Sequence, residues 1–200
     1  MDIQASSLFA IQVYIAQLEG LELHAPALIA RIDALRAAEI GMRASNRHAF
    51  HSLRDFHLAT DAATAWLNAS ILDFATQALT PVMNKKQDWE IQFLGVWAVA
   101  SDKGGWLMPH NHFPAPWAGV LYLDAEHVVG DDPKDSAGRL DLLCPVPLAE
   151  VFGLQPSMSV IPRNGLALLF PGALQHAVYP HFSEKTRYAV SFNLAVKPRG

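Results

Sequence analysis

Cysteine is all but missing from these 200 residues: Cys144 stands alone, so no internal disulfide can form. Its apolar setting, Leu142-Leu-Cys-Pro-Val, points to burial as a small hydrophobe. Clustered positive charge is missing too. With a net charge of -4 and no Lys/Arg run, the chain lacks the basic stripe that a nucleic-acid backbone requires. Long apolar runs are also absent. Segment 8–18 contains Gln12 and Gln17 and leads into Glu19-Gly20, and Asp2 replaces any positive leader, so neither a signal peptide nor a membrane span is expected. A cytoplasmic location is the expectation. No internal repeat or low-complexity tract occurs. What remains is 51% hydrophobic and 17% charged, enough for one domain over 1–200 with a sizeable core and too little for two.

The pattern divides this domain into a mainly helical part, 1–87, and a β-rich body, 88–200. Residues 8–18, rich in β-branched and aromatic side chains and closed by Gly20, predict a strand. From Pro26 the apolar positions Leu28, Ile29, Ile32, Leu35 and Ala38 recur at three and four residues, predicting a helix that ends near Gly41. Residues 42–60 are polar and aperiodic, and predict a loop laid over the domain. A second helix fits 61–79, with Asp61 as N-cap and Pro81 as its stop. Strands are then predicted at 89–100, 118–123, 139–143, 157–161, 166–170 and 188–196, separated by turn signals such as Asp102-Lys-Gly-Gly and Pro162-Arg-Asn-Gly. The fold class is α+β, with the strands closing into a sandwich or barrel.

Three histidines are the fixed points of that body. His110 and His112 stand two apart in Trp106-Leu-Met-Pro-His-Asn-His-Phe, so on extended backbone both imidazoles face one side and can share a metal ion. His176 ends a second apolar strand, Gly165-Leu-Ala-Leu-Leu-Phe-Pro-Gly-Ala-Leu-Gln. Arg187 follows eleven residues later, opening Arg-Tyr-Ala-Val-Ser-Phe-Asn. A His pair, a distant His and a cation on the next strand suggest a metal with an anionic co-substrate. The other histidines, His24, His48, His51, His57, His127 and His181, are assigned ordinary structural roles.

The runs 89–99, Pro109-His-Asn-His-Phe, Trp117-Ala-Gly-Val-Leu-Tyr-Leu, 165–176 and Arg187-Tyr-Ala-Val-Ser-Phe-Asn together resemble the 2-oxoglutarate/Fe(II)-dependent oxygenases of bacteria and phage. Ser45-Asn-Arg-His-Ala-Phe-His-Ser also resembles the loop that precedes the barrel in those proteins. The resemblance implies a double-stranded β-helix, a jelly-roll or cupin-like barrel, with an N-terminal strand and two supporting helices. It also implies Fe(II) as metal and 2-oxoglutarate as co-substrate, the keto acid being decarboxylated while a substrate C–H bond is hydroxylated. On this resemblance His110 matches the first ligand and His176 the distal one, and Arg187 matches the clamp on the far carboxylate of 2-oxoglutarate. Ser191 shares the face of Arg187 and is placed beside it, although many such enzymes carry their serine where Ala189 stands.

Where a two-His-one-carboxylate site would have Asp or Glu, this chain has His112. His112 is taken as the ligand, with Asp124 and Asp141 as the carboxylate alternatives. Trp106 and Phe113, flanking the pair, are placed at the substrate pocket, with the 46–57 loop as its wall. The partners expected are a small-molecule or peptide substrate, with no nucleic acid and no membrane; a homodimer stays open. Two further readings stand beside this one. A cupin-type three-His metalloenzyme without keto acid has the Gly165-x5-Pro-x4-His spacing but wants a glutamate after the His pair. A non-catalytic binding module would require the three histidines to be structural.

Overall fold

The computed structural model describes residues 10–84, 86–130, 132 and 134–199. Two helices, α1 (Leu21–Ala37) and α2 (Ala62–Leu79), pack on one face of a curled antiparallel sheet. The sheet strands are β1 (Tyr14–Gln17), β2 (Asn46–His51), β3 (Trp89–His110), β4 (Trp117–Asp124), β5 (Leu140–Leu143), β6 (Ser157–Val160), β7 (Leu166–Pro171), β8 (His176–Val178) and β9 (Arg187–Pro198). Their order is β1-β7-β4-β9-β3-β8-β5-β6, with β2 added on β3. This is the expected double-stranded β-helix.

Strand alternation sorts the side chains into two cores. Val96, Ala98 and Ala100 of β3, Leu121 and Leu123 of β4, Ala167 and Leu169 of β7, and Val190, Phe192 and Leu194 of β9 face the helices. Ala118 and Tyr122 of β4, Leu168 and Phe170 of β7, and Ala189 of β9 face the barrel interior with Leu140, Leu142 and Val178. By the same alternation Arg187, Ser191 and Asn193 point into the barrel.

The second helix forms as predicted, with the Asp61 carboxylate accepting from the Thr64 backbone N–H at 2.9 Å as N-cap. Several elements differ from the sequence reading. The N-terminal strand covers only Tyr14–Gln17 of the predicted 8–18, of which residues 8 and 9 lie outside the described residues. Helix α1 begins at Leu21, with Pro26 inside it: Leu21, Ala25, Leu28 and Ile32 form one buried stripe, whose packing outweighs the hydrogen bond that proline lacks. The predicted loop 42–60 contains β2, an edge strand whose polarity concealed its pairing with β3. Strand β3 does not turn at Asp102-Lys-Gly-Gly. It continues to His110, pairing with β9 through its first half and with β8 beyond the bend. Gly104 lies there at φ 78°, a left-handed conformation suited to glycine. Strand β8 is too short for the sequence pattern to show.

Candidate metal centre and cavity

The bend in β3 delivers its end to β8, where His110 lies directly opposite His176 across the ladder. Opposed residues on adjacent antiparallel strands bring their side chains together, and these two rings stand 4.3 Å apart between centroids. His112 lies two residues past the strand end. Its backbone N–H donates to the Gly172 carbonyl at 2.7 Å, tying the His pair to the turn that precedes His176. Gly172 cannot carry a side chain, since a Cβ there would stand 2.0 Å from the Ala115 carbonyl oxygen. One ring nitrogen from each of His110, His112 and His176 lies within 4.8 Å of the other two.

Hydrogen bonds decide which nitrogens these are. His110 Nδ1 lies 2.7 Å from the Met108 carbonyl and His176 Nδ1 lies 3.0 Å from the Leu174 carbonyl. His112 Nδ1 lies 2.5 Å from Asn193 Oδ1. A carbonyl oxygen only accepts, so each Nδ1 carries the proton and each Nε2 keeps its lone pair free. Burial, the largest cause for all three rings, lowers their pKa values, to about 4 for His112 and about 3 for His176. Three neutral imidazoles with oriented Nε2 atoms and ordered outer partners are the donor set of a first-row metal ion, so the residues fit the Fe(II) that the fold implies.

Asn193 is a functional residue that the sequence reading left without a role, although alternation from Arg187 places it on the same face. Asn193→Leu is expected to remove the acceptor that fixes the His112 tautomer and to weaken metal binding by roughly 10–100-fold, as measured by competition with a chelator. Unchanged affinity would show that His112 is oriented by packing alone.

The depressed pKa values also have a consequence for stability. Unfolded histidine titrates near 6.5, so the neutral rings stabilise the metal-free fold above that pH, and this contribution is lost as pH falls through about 4 and then about 3. Each of His112 and His176 accounts for on the order of 3 kcal/mol or more, at ~1.4 kcal/mol per pKa unit. The urea midpoint of the metal-free protein should therefore drop steeply between pH 7 and pH 4; a flat profile would contradict the burial of these rings.

The carboxylate alternatives lie elsewhere. Asp124 sits at the end of β4 beside His127, at 3.2 Å. Asp141 accepts from Ser157 Oγ at 3.2 Å and from the Tyr179 hydroxyl at 3.3 Å, while its neighbour Leu140 faces the cavity.

A cavity of about 490 Å³ surrounds the three histidines. Arg187, only 2% exposed, lines its interior with Tyr122, Ala189 and Ser191. The guanidinium makes one long hydrogen bond, 3.3 Å to the Gly138 carbonyl, and its Nε has no partner among the described residues. Burial pulls its pKa down and pushes that of Tyr122 up to about 12, so the phenol keeps its proton. Phe113 lines the cavity and is 77% exposed, whereas Trp106 does not. Trp106 pairs with Arg47 on β2, and alternation turns its neighbour Leu107 inward in its place. His51, read as structural, lines the cavity, as do Arg54 and Trp97. No local signal marked His51; pairing with Val99 across β2 and β3 brings it there.

Residues 95–193 match the family model described as "Putative 2OG-Fe(II) oxygenase". Among solved structures, a prolyl-4-hydroxylase of Pseudomonas putida is 17% identical, with a TM-score of 0.62 over 94% of this chain and 93% of that one. HygX of Streptomyces hygroscopicus, solved with nickel and 2-oxoglutarate, is 14% identical, with a TM-score of 0.61 over 92% and 82%. The non-heme α-ketoglutarate-dependent epimerase SnoN of nogalamycin biosynthesis is 13% identical, with a TM-score of 0.65 over 94% and 80%. These likenesses establish the fold. No curated protein sequence matches the chain. No helix among the described residues is long and apolar enough to cross a membrane. The matched segment runs from within β3 to Asn193 of β9 and holds all three histidines and Arg187: the chain carries the domain of the 2OG-Fe(II) oxygenases.

Proposed function

We propose that this protein is a 2-oxoglutarate-dependent hydroxylase whose metal is held by His110, His112 and His176 and whose keto acid is anchored by Arg187. The observation that carries the reading is the buried guanidinium. An uncompensated charge in the interior is costly, and no carboxylate lines the cavity among the described residues. An anion from solution must therefore complete the site.

Bound Fe(II) and 2-oxoglutarate would supply the electrons for splitting O2, one oxygen atom going to the keto acid as it decarboxylates to succinate and the other into a substrate C–H bond. The chain's own residues hold and orient. The Nε2 atoms of His110, His112 and His176 would hold the metal. Arg187 would take the distal carboxylate of the keto acid in a charge-assisted pair, with the protonated Tyr122 hydroxyl and Ser191, which line the same cavity, as neutral donors. Phe170 stands edge-on to His176 at 4.9 Å and helps keep that side dry.

The test is iron content together with calorimetric titration of metal-loaded protein with 2-oxoglutarate. Saturable binding is expected. Metal without keto-acid binding would favour a cupin-type metalloenzyme, and neither would leave a binding module. A product heavier by one oxygen marks hydroxylation, and an isomeric product of equal mass would replace it with the epimerase chemistry named for SnoN.

A further inference from the structure

Arg187 is not the cavity's only cation. Arg54, in the loop after β2, lines the mouth of the same cavity and is exposed there, with its guanidinium carbon 5.4 Å from the centroid of the Trp97 ring. Arg31 and Arg36 are paired with Asp61 and Asp102, but Arg54 has no carboxylate partner among the described residues. Trp97 is held by His51, stacked at 5.5 Å and 10° and anchored through Nδ1 to the Ser52 carbonyl at 2.6 Å. Leu94 and Phe113, 52% and 77% exposed, add apolar surface at the opening. His51 and Arg54 lie before residue 95, outside the segment that matches the oxygenase family.

The charge balance has a direction. Three neutral histidines leave a divalent metal's two charges intact, and the dianionic keto acid offsets those two. Arg187 and Arg54 then remain as a surplus of two positive charges, one more than a site with a carboxylate ligand would have. With no acidic side chain on the described wall, this surplus attracts an anionic substrate and rejects a cationic one. We propose that the substrate is a small-molecule carboxylate with an aromatic or other planar apolar body, its carboxylate paired with Arg54 and its body lying against the exposed Leu94 and Phe113, with the buried Trp97 in the cavity wall behind Arg54. One guanidinium fork suits a carboxylate, and the cavity volume, shared with the keto acid, suits a small molecule. His51 acts as a positioning residue for the indole. This assignment rests on the reading that Arg187 and the metal take the keto acid.

The test uses the full chain loaded with Zn(II) and 2-oxoglutarate, so that the metal and Arg187 are occupied. The probes are 3-phenylpropionate, its neutral amide and phenyl phosphate, titrated by calorimetry. Phenylpropionate is expected to bind about tenfold or more tightly than the amide, and Arg54→Gln should erase that difference. Arg54→Lys should restore part of it. Zinc content and 2-oxoglutarate affinity, read on the same variants, report whether the fold and the inner site are intact. Equal binding of acid and amide, an Arg54→Gln variant that retains the preference, or no saturable binding of the acid would each overturn the assignment. Tighter binding of phenyl phosphate would replace the carboxylate by a phosphate. If 2-oxoglutarate itself fails to bind, the keto-acid reading falls, and the same comparison without it still decides the role of Arg54.

Discussion

Arg187→Ala is expected to abolish measurable 2-oxoglutarate binding while leaving metal content nearly unchanged. Arg187 sits on β9 facing the barrel, 2% exposed, with one weak hydrogen bond and no acid beside it among the described residues. Removing one partner of a buried ion pair costs roughly 3–5 kcal/mol, a loss of a hundredfold or more in affinity. Arg187→Lys should recover only part, since an ammonium cannot reproduce the bidentate fork. The apo-protein gives a second readout. Truncating an uncompensated buried cation should raise, or at least not lower, the urea midpoint in the absence of keto acid, the opposite of what a structural ion pair would show. Equal 2-oxoglutarate affinity in wild type and Arg187→Ala would sink the keto-acid reading and leave a metalloenzyme that works without it.

The second large effect concerns His112. His112→Ala should strip the metal, whereas Asp124→Ala and Asp141→Ala should keep it, because only the histidine presents a donor atom within 4.8 Å of those of His110 and His176. His112→Asp is the informative replacement. It would convert the set to two histidines and a carboxylate, remove one positive charge from the loaded site, and place the new side chain within reach of Asn193. Higher iron affinity and faster keto-acid turnover in that variant would mean that the site already stood close to the two-His-one-carboxylate geometry. Full metal occupancy in His112→Ala, measured by elemental analysis after dialysis, would assign the second ligand elsewhere.

Much of the site was legible in the chain because it obeys local rules. The i, i+2 spacing of His110 and His112 and the strand before His176 are short-range patterns, and alternation from Arg187 through Ser191 to Asn193 follows from the two-residue period of a strand. The helix at 62–79 was legible from its apolar period and its Asp61 cap. Residues 42–60 were not, since an edge strand that leans on a partner needs no apolar alternation of its own. His51, Arg54 and Trp97 come together through the pairing of β2 with β3, whose partners, such as His51 and Val99, are distant in sequence.

What the sequence by itself determined, then, was the set of donors, the cation for an anionic co-substrate and the β-rich body that carries them. Tertiary structure decided which histidines share a cavity, which nitrogen each presents, that Trp106 faces away while His51 and Arg54 face in, and that Arg187 is buried with no carboxylate partner among the described residues. The reason is physical: ligand identity is a property of one side chain, whereas tautomer, burial and charge compensation belong to the neighbours, and in an antiparallel barrel those neighbours are supplied by distant strands.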